Sequence, residues 1–181
     1  MLGAIIGDIV GSRWEFFSTN DYNFELFSDK NDFTDDTICT IAVADAIMHQ
    51  KSYGAALHEW CRRYPNPMGS YGGSFNAWVR SDEPQPYGSY GNGAAMRVSA
   101  IGWAFDDEES VLANAEQSAA CTHNHPEGIK GAQTVALAIH LALKLRRCHQ
   151  GEPVLHGEMM EKVIAPCVEF SGDDINIRRE S

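Results

Sequence analysis

Strand-like alternation is scarce in this chain, while apolar residues recur at helical spacing almost throughout, which excludes a sheet-based architecture and points to an all-α fold. No basic run exceeds the pair Arg146–Arg147, and the formal charge is −11. Binding in a nucleic-acid groove needs clustered Lys and Arg that displace counterions, so that class is excluded, and anionic membranes are disfavoured as partners. Long apolar runs are missing too. MLGAIIGDIVG has no basic stretch before it and is interrupted by Asp8, so it reads neither as a signal peptide nor as a membrane span. The five cysteines (Cys39, Cys61, Cys121, Cys148, Cys167) form no C-x-x-C pair and are odd in number; reduced, buried thiols in a cytoplasmic protein are expected.

With 181 residues, 44% of them hydrophobic, the chain suffices for a single domain with a real core, spanning 1–181 with a polar tail from about 170. Residues 13–33 read as an irregular aromatic and acidic loop. Helices are expected at about 36–50, then after the cap Ser52 until Pro65 and Pro67 stop the run, at 93–105, at 108–120 behind the caps Asp106 and Asp107, and at about 128–147. In the last of these the polar residues Gln133, His140 and Lys144 form one narrow stripe, so the helix is apolar nearly all round and needs neighbours on most sides. EMMEKVIAPCVEF is expected to be a short helix broken at Pro166, and the stretch 68–93 a Gly-, Ser- and Tyr-rich loop in which only FNAWVRS looks helical.

Four short motifs carry the chemistry. In FTDDT, Thr34, Asp35 and Asp36 stand at a helix entrance, where they either cap the helix and complement its macrodipole or present a hydroxyl and two carboxylates to a hard cation; local sequence leaves both open. GSYGNGAAMR, residues 88–97, is either a plain Gly-rich turn or a loop whose N–H groups converge on a phosphate, helped by a helix beginning near Asn92; GSYGGS at 69–74 repeats the pattern. THNHPEG is a capped turn with Pro126 at a helix start, or a place where His123 or Asn124 meets a ligand phosphate; the lone His pair is too isolated for zinc. GDIVGSRWE contributes Asp8 on the first helix and Glu15 just beyond it.

In this order, GDIVGSRWE, FTDDT, GSYGNGAAMR and THNHP resemble the ADP-ribosylglycohydrolase family over roughly residues 1–145. The resemblance implies an all-α orthogonal multi-helix bundle with a site for two Mg²⁺ ions. It implies Thr34, Asp35 and Asp36 as metal ligands, and Glu15 and Asp36 as the carboxylates assisting catalysis. Ser89, Tyr90, Gly91, Asn92, Gly93 and His123 would hold the diphosphate and sugar of ADP-ribose. The expected activity is Mg²⁺-dependent removal of ADP-ribose from a protein side chain or related conjugate; the alternative is a degenerate ADP-ribose-binding protein.

The family's C-terminal G-D-x-D-T motif has no counterpart, since SGDDINI places Asp173 and Asp174 side by side without the threonine. One Mg²⁺, or none, is then expected in place of two. Fewer late helices would leave the apolar stretch at 131–145 partly wet, at about 25 cal/mol per Å². A homo-oligomer, most simply a dimer, is therefore expected. Size-exclusion chromatography at micromolar concentration checks this, and a stable monomer would count against it.

Overall fold

The computed structural model describes residues 1–149 and 153–172. Asp173, Asp174 and the rest of the expected tail beyond 172 lie outside the described residues. Within them the chain is helical and forms no strand beyond one isolated parallel bridge between Thr34 and Met68. The elements are α1 (Leu2–Gly11), a 3₁₀ turn (Ser12–Trp14), α2 (Asp35–His49), α3 (Tyr53–Arg63), α4 (Gly73–Arg80), a second 3₁₀ turn (Asn92–Ala94), α5 (Ser99–Ala104), α6 (Glu108–Ala120), α7 (Pro126–Cys148), α8 (His156–Met159), a π-helical stretch (Met160–Ile164) and α9 (Ala165–Ser171). No helix among the described residues is long and apolar enough to cross a membrane.

Local chemistry sets most boundaries. The side chains of Thr34, Ser52, Asp107 and His125 each accept a backbone N–H in the first turn of α2, α3, α6 and α7. Pro126 opens α7, where its missing N–H leaves no bond unmade. At the other end of α2, Gln50 takes a left-handed conformation and closes the helix.

α2 is the central element because it buries both sides. Val43 and Ala44 join a cluster with Val98, Ile101, Val111, Ala115, Ala132 and Ala136 from α5, α6, α7 and the segment before α5. Ile38, Cys39 and Ala42 join a second cluster with Leu57, Cys61, Tyr71, Phe75, Trp78 and Val79 from α3, α4 and the loop between them. The alanines keep interhelical distances short. Gly102 in α5 marks the tightest crossing: a Cβ there would stand 2.7 Å from Ile139 Cγ2 and 2.8 Å from the Ala136 carbonyl of α7.

Two expectations need correction. The helix expected at 93–105 is a three-residue 3₁₀ turn followed by irregular turns and α5, because Gly91 and Gly93 weaken helix at its start. Pro166 does not break the last helical run. The chain widens into a π turn over Met160–Ile164 just ahead of it, so the missing proline N–H falls in the first turn of α9. The polar stripe of α7 turns toward α6: Gln133 Nε2 donates to the Leu112 carbonyl at 3.2 Å, Lys144 Nζ stands 3.7 Å from Glu108, and His140 is buried. The π stretch and α9 pack along α7 on another side, leaving a groove of about 640 Å³ whose lining includes Val135, Ala138, Ile164, Cys167 and Val168.

Gly102→Ala is expected to destabilise the chain by about 1–3 kcal/mol, since a backbone carbonyl cannot yield the way a side chain can. Urea denaturation measures it; an unchanged midpoint would show that α5 and α7 separate freely.

Candidate active site

Asp8, on the last turns of α1, reaches across to the entrance of α2. Its Oδ1 accepts the Thr34 hydroxyl at 2.6 Å, and its Oδ2 accepts the Thr34 N–H at 2.9 Å, the Thr37 N–H at 3.2 Å and the Thr37 hydroxyl at 2.6 Å. Three of these bonds fall on Oδ2 and one on Oδ1, so the clamp occupies Oδ2 and leaves a lone pair on Oδ1. Thr34 is buried, and its hydroxyl also accepts the Asp36 N–H at 3.2 Å. The capping reading of FTDDT is thus realised, and one lone pair of Thr34 Oγ1 remains.

Asp35 and Asp36 diverge from the helix entrance. Asp35 lines a cavity of about 260 Å³ together with Gly72, Gly73 and Ser74 at the start of α4, Ser89, Gly91, Asn92 and Gly93 of the Gly-rich loop, and Arg97 and His123. Asp36 lines a neighbouring cavity of about 500 Å³ with Asp8, Ser12, Glu15, Thr34 and Thr40. Asn92 and Met96 border both cavities, so the two adjoin.

The acidic groups raise one another. Burial, then the charges of Asp36, Glu15 and Asp8, push Asp35 up to about 6 against its own backbone hydrogen bond. Burial, then Asp8, raises Asp36. Burial, then Asp36 and Asp8, raises Glu15. Gly69 makes room for the last of these: its φ is +81°, and a Cβ there would collide with the Glu15 carboxylate.

Around the loop, the Asn124 side-chain carbonyl accepts the Gly88 N–H at 2.7 Å, and the Thr122 carbonyl accepts the Tyr87 N–H at 3.2 Å. Asn124 therefore braces the loop. Tyr90 is 74% exposed, its ring lies 5.2 Å from that of His125, and it borders the apolar groove beside α7, not the 260 Å³ cavity. His123 is buried, and burial followed by the charge of Arg97 lowers it to about 4. A three-residue 3₁₀ turn supplies little macrodipole, so the helix contribution expected at Asn92 gives way to the buried charge of Arg97. Sequence reasoning named Asp8 without giving it a role and passed over Arg97. Arg97 is the last residue of GSYGNGAAMR, but only the tertiary structure shows that it turns inward.

The donor set fits a hard divalent cation in kind: several carboxylates that destabilise each other's charge, with one hydroxyl lone pair. Among the described residues no three His, Cys, Asp or Glu side chains are gathered closely enough to hold a metal ion by themselves.

These observations converge on one protein class. The ADP-ribosylglycohydrolase family model matches residues 1–174, and the chain belongs to that family. Its relatives include the human ADP-ribosylhydrolase ARH3, 29% identical over 177 residues that cover 80% of this chain and 49% of the relative. The zebrafish (Danio rerio) ARH3 is 25% identical over 202 residues, covering 96% of this chain and 53% of the relative, and the chicken (Gallus gallus) ARH3 is 41% identical over 87 residues, covering 48% and 22%. The chain spans about half the length of these curated relatives, or less.

In the metal-free protein the neutral form of Asp35 is favoured by folding. Its contribution to stability is complete below its ordinary value of 3.8 and is lost as pH rises through about 6. In EDTA, Asp35→Asn is therefore expected to melt above the parent at about pH 7.5 and with it near about pH 4. Thermal unfolding at the two pH values checks this; an equal gap at both would rule out the carboxylate's titration as the cause.

Proposed function

We propose that the chain is an ADP-ribosylglycohydrolase, releasing ADP-ribose from an ADP-ribosylated protein side chain or a related conjugate with the help of Mg²⁺. The observation that carries the reading is the continuity of two unlike cavities across Asn92 and Met96: one is lined by a Gly-rich loop, His123 and Arg97, the other by the carboxylates Glu15 and Asp36. The diphosphate of ADP-ribose lies along the first, where backbone N–H groups and the Arg97 charge suit an anion. The ribose bearing the scissile bond lies toward the second.

Hydrolysis breaks the bond between the anomeric carbon and the leaving group and joins a water oxygen to that carbon. The water's proton passes to a carboxylate, and the leaving group takes up a proton. Positive charge grows on the ribose as the bond breaks, so nearby carboxylates lower the barrier. Glu15, raised by burial and by its acidic neighbours, holds a proton more readily than a free glutamate and is suited to exchange one with water. Thr34, Asp35 and Asp36 are the residues that would hold Mg²⁺, with waters completing its shell; when bound it supplies charge stabilisation and an anchor for ribose hydroxyls.

A second reading is favoured by one specific observation, that among the described residues no three such side chains gather closely enough to hold a metal ion by themselves: a protein that binds ADP-ribose without turning its conjugates over. Incubation with an ADP-ribosylated protein, with free ADP-ribose quantified, separates the two. Mg²⁺-dependent release that falls by about 10²–10⁴ in Glu15→Gln and is lost in Asp35→Ala/Asp36→Ala supports the hydrolase. Calorimetric binding of ADP-ribose without release supports the binder. Turnover undiminished in EDTA and in the double variant overturns the proposed roles.

A further inference from the structure

Arg97 is 1% exposed, and no carboxylate among the described residues forms an ion pair with it. Its Nη2 donates to the Ser118 carbonyl at 2.6 Å and to Thr122 Oγ1 at 2.9 Å, with Cys121 Sγ at 3.7 Å, while its Nε is buried without a partner. A buried guanidinium held only by neutral acceptors polarises them strongly, because little solvent screens it.

The consequence falls on Thr122. A guanidinium can only donate, so Thr122 Oγ1 accepts from Arg97 and keeps a single proton of its own to give. Two arrangements fit its contacts: the hydroxyl gives that proton to His123 Nδ1 at 2.7 Å, or Nδ1–H donates to the second lone pair of Oγ1 while the hydroxyl turns to the Ala119 carbonyl at 3.4 Å. Accepting from the Arg97 cation strengthens the hydroxyl as a donor and weakens it as a second acceptor, and 3.4 Å is long for an O–H···O bond, so the first arrangement is the favoured one. Nδ1 is then an acceptor, and the ring hydrogen sits on Nε2. That edge of the ring faces Gly93, where a Cβ would stand 3.1 Å from both Cε1 and Nε2, and both residues line the 260 Å³ cavity.

We propose that Arg97 and Thr122 are positioning residues that hold His123 as a neutral imidazole with its proton on Nε2, presenting a fixed N–H donor to an anionic diphosphate in the cavity. The ligand half of this statement rests on the reading of the cavity as an ADP-ribose site; the tautomer does not. The groups facing His123 agree with it. Arg97 opposes a second proton, Tyr87 lies 5.8 Å away ring to ring, Cys121 precedes it on the chain with Thr122, Gly128 of α7 stands against its Cβ, and Asp35 lines the same cavity. The donor is therefore constant across the neutral pH range, where a free histidine would change charge.

The test uses the whole chain labelled with ¹⁵N-histidine and long-range ¹H–¹⁵N spectra, first without ligand. Between about pH 6 and 8, His123 is expected as a single species with an unprotonated Nδ1 and a protonated Nε2. Thr122→Val, nearly isosteric, is expected to give mixed tautomers and a titration moved up toward that of an ordinary histidine, with Thr122→Ser restoring the parent spectrum. A proton on Nδ1 in the parent chain, or a Thr122→Val spectrum identical to the parent's, overturns the relay. Calorimetry with ADP-ribose follows on the same samples. About tenfold weaker binding by Thr122→Val, recovered in Thr122→Ser, is expected for the loss of one oriented hydrogen bond. If the parent shows the expected tautomer and binds no ADP-ribose, the relay stands and the ligand half falls. If ADP-ribose binds equally to parent and Thr122→Val while the tautomer changes, the N–H is not a ligand contact.

Discussion

One carboxylate holds the acidic end of this molecule together. Asp8 gathers two backbone N–H groups and two hydroxyls from the first residues of α2, and by doing so it seats α1 against the helix whose entrance carries Asp35 and Asp36. Hydrogen bonds to an ionised acceptor are short and strong, and three of the four converge on Oδ2. Asp8 serves the architecture first, and Asp35, Asp36 and Glu15 are the acidic groups beside it that line the two cavities. Their raised proton affinities follow directly, since each is partly withdrawn from water within the field of the others.

The opposite half of the site runs on positive charge without an ion pair. Arg97 lies beneath the Gly-rich loop, bonded to neutral oxygens, and its field reaches His123 through Thr122. An acidic cavity and a cavity over a buried cation thus share a wall at Asn92 and Met96. That polarity matches a ligand with an anionic middle and a neutral sugar end. The small side chains of α2, α5 and α7 make the arrangement compact, because alanine and glycine at the crossings bring the helices close enough for loops at their ends to converge.

Much of this was legible in the sequence. The all-α fold, the caps at Ser52, Asp107 and Thr34, the turn before Pro126 and the ordered set of four motifs were readable from neighbouring residues, and the family model over residues 1–174 agrees with the resemblance those motifs carry. The Gly-rich loop, Asp35 and His123 do come to one cavity, but Tyr90 borders a different surface and Asn92 opens a 3₁₀ turn where a helix was expected. Pro166 was misread for a related reason: a proline's missing N–H predicts a break only if the turn before it stays α-helical, and here it widens.

The sequence alone determined what acts over three or four residues, because a cap or an amphipathic face is a contract between near neighbours. It therefore announced where the helices begin and which of them are buried on most sides. Only the tertiary structure decided which polar groups share a cavity: Asp8 meets Thr34 across 26 positions, and Arg97 meets Thr122 across 25. Those partnerships depend on how helices pack, and packing is set by the summed fit of many side chains, which no single motif records.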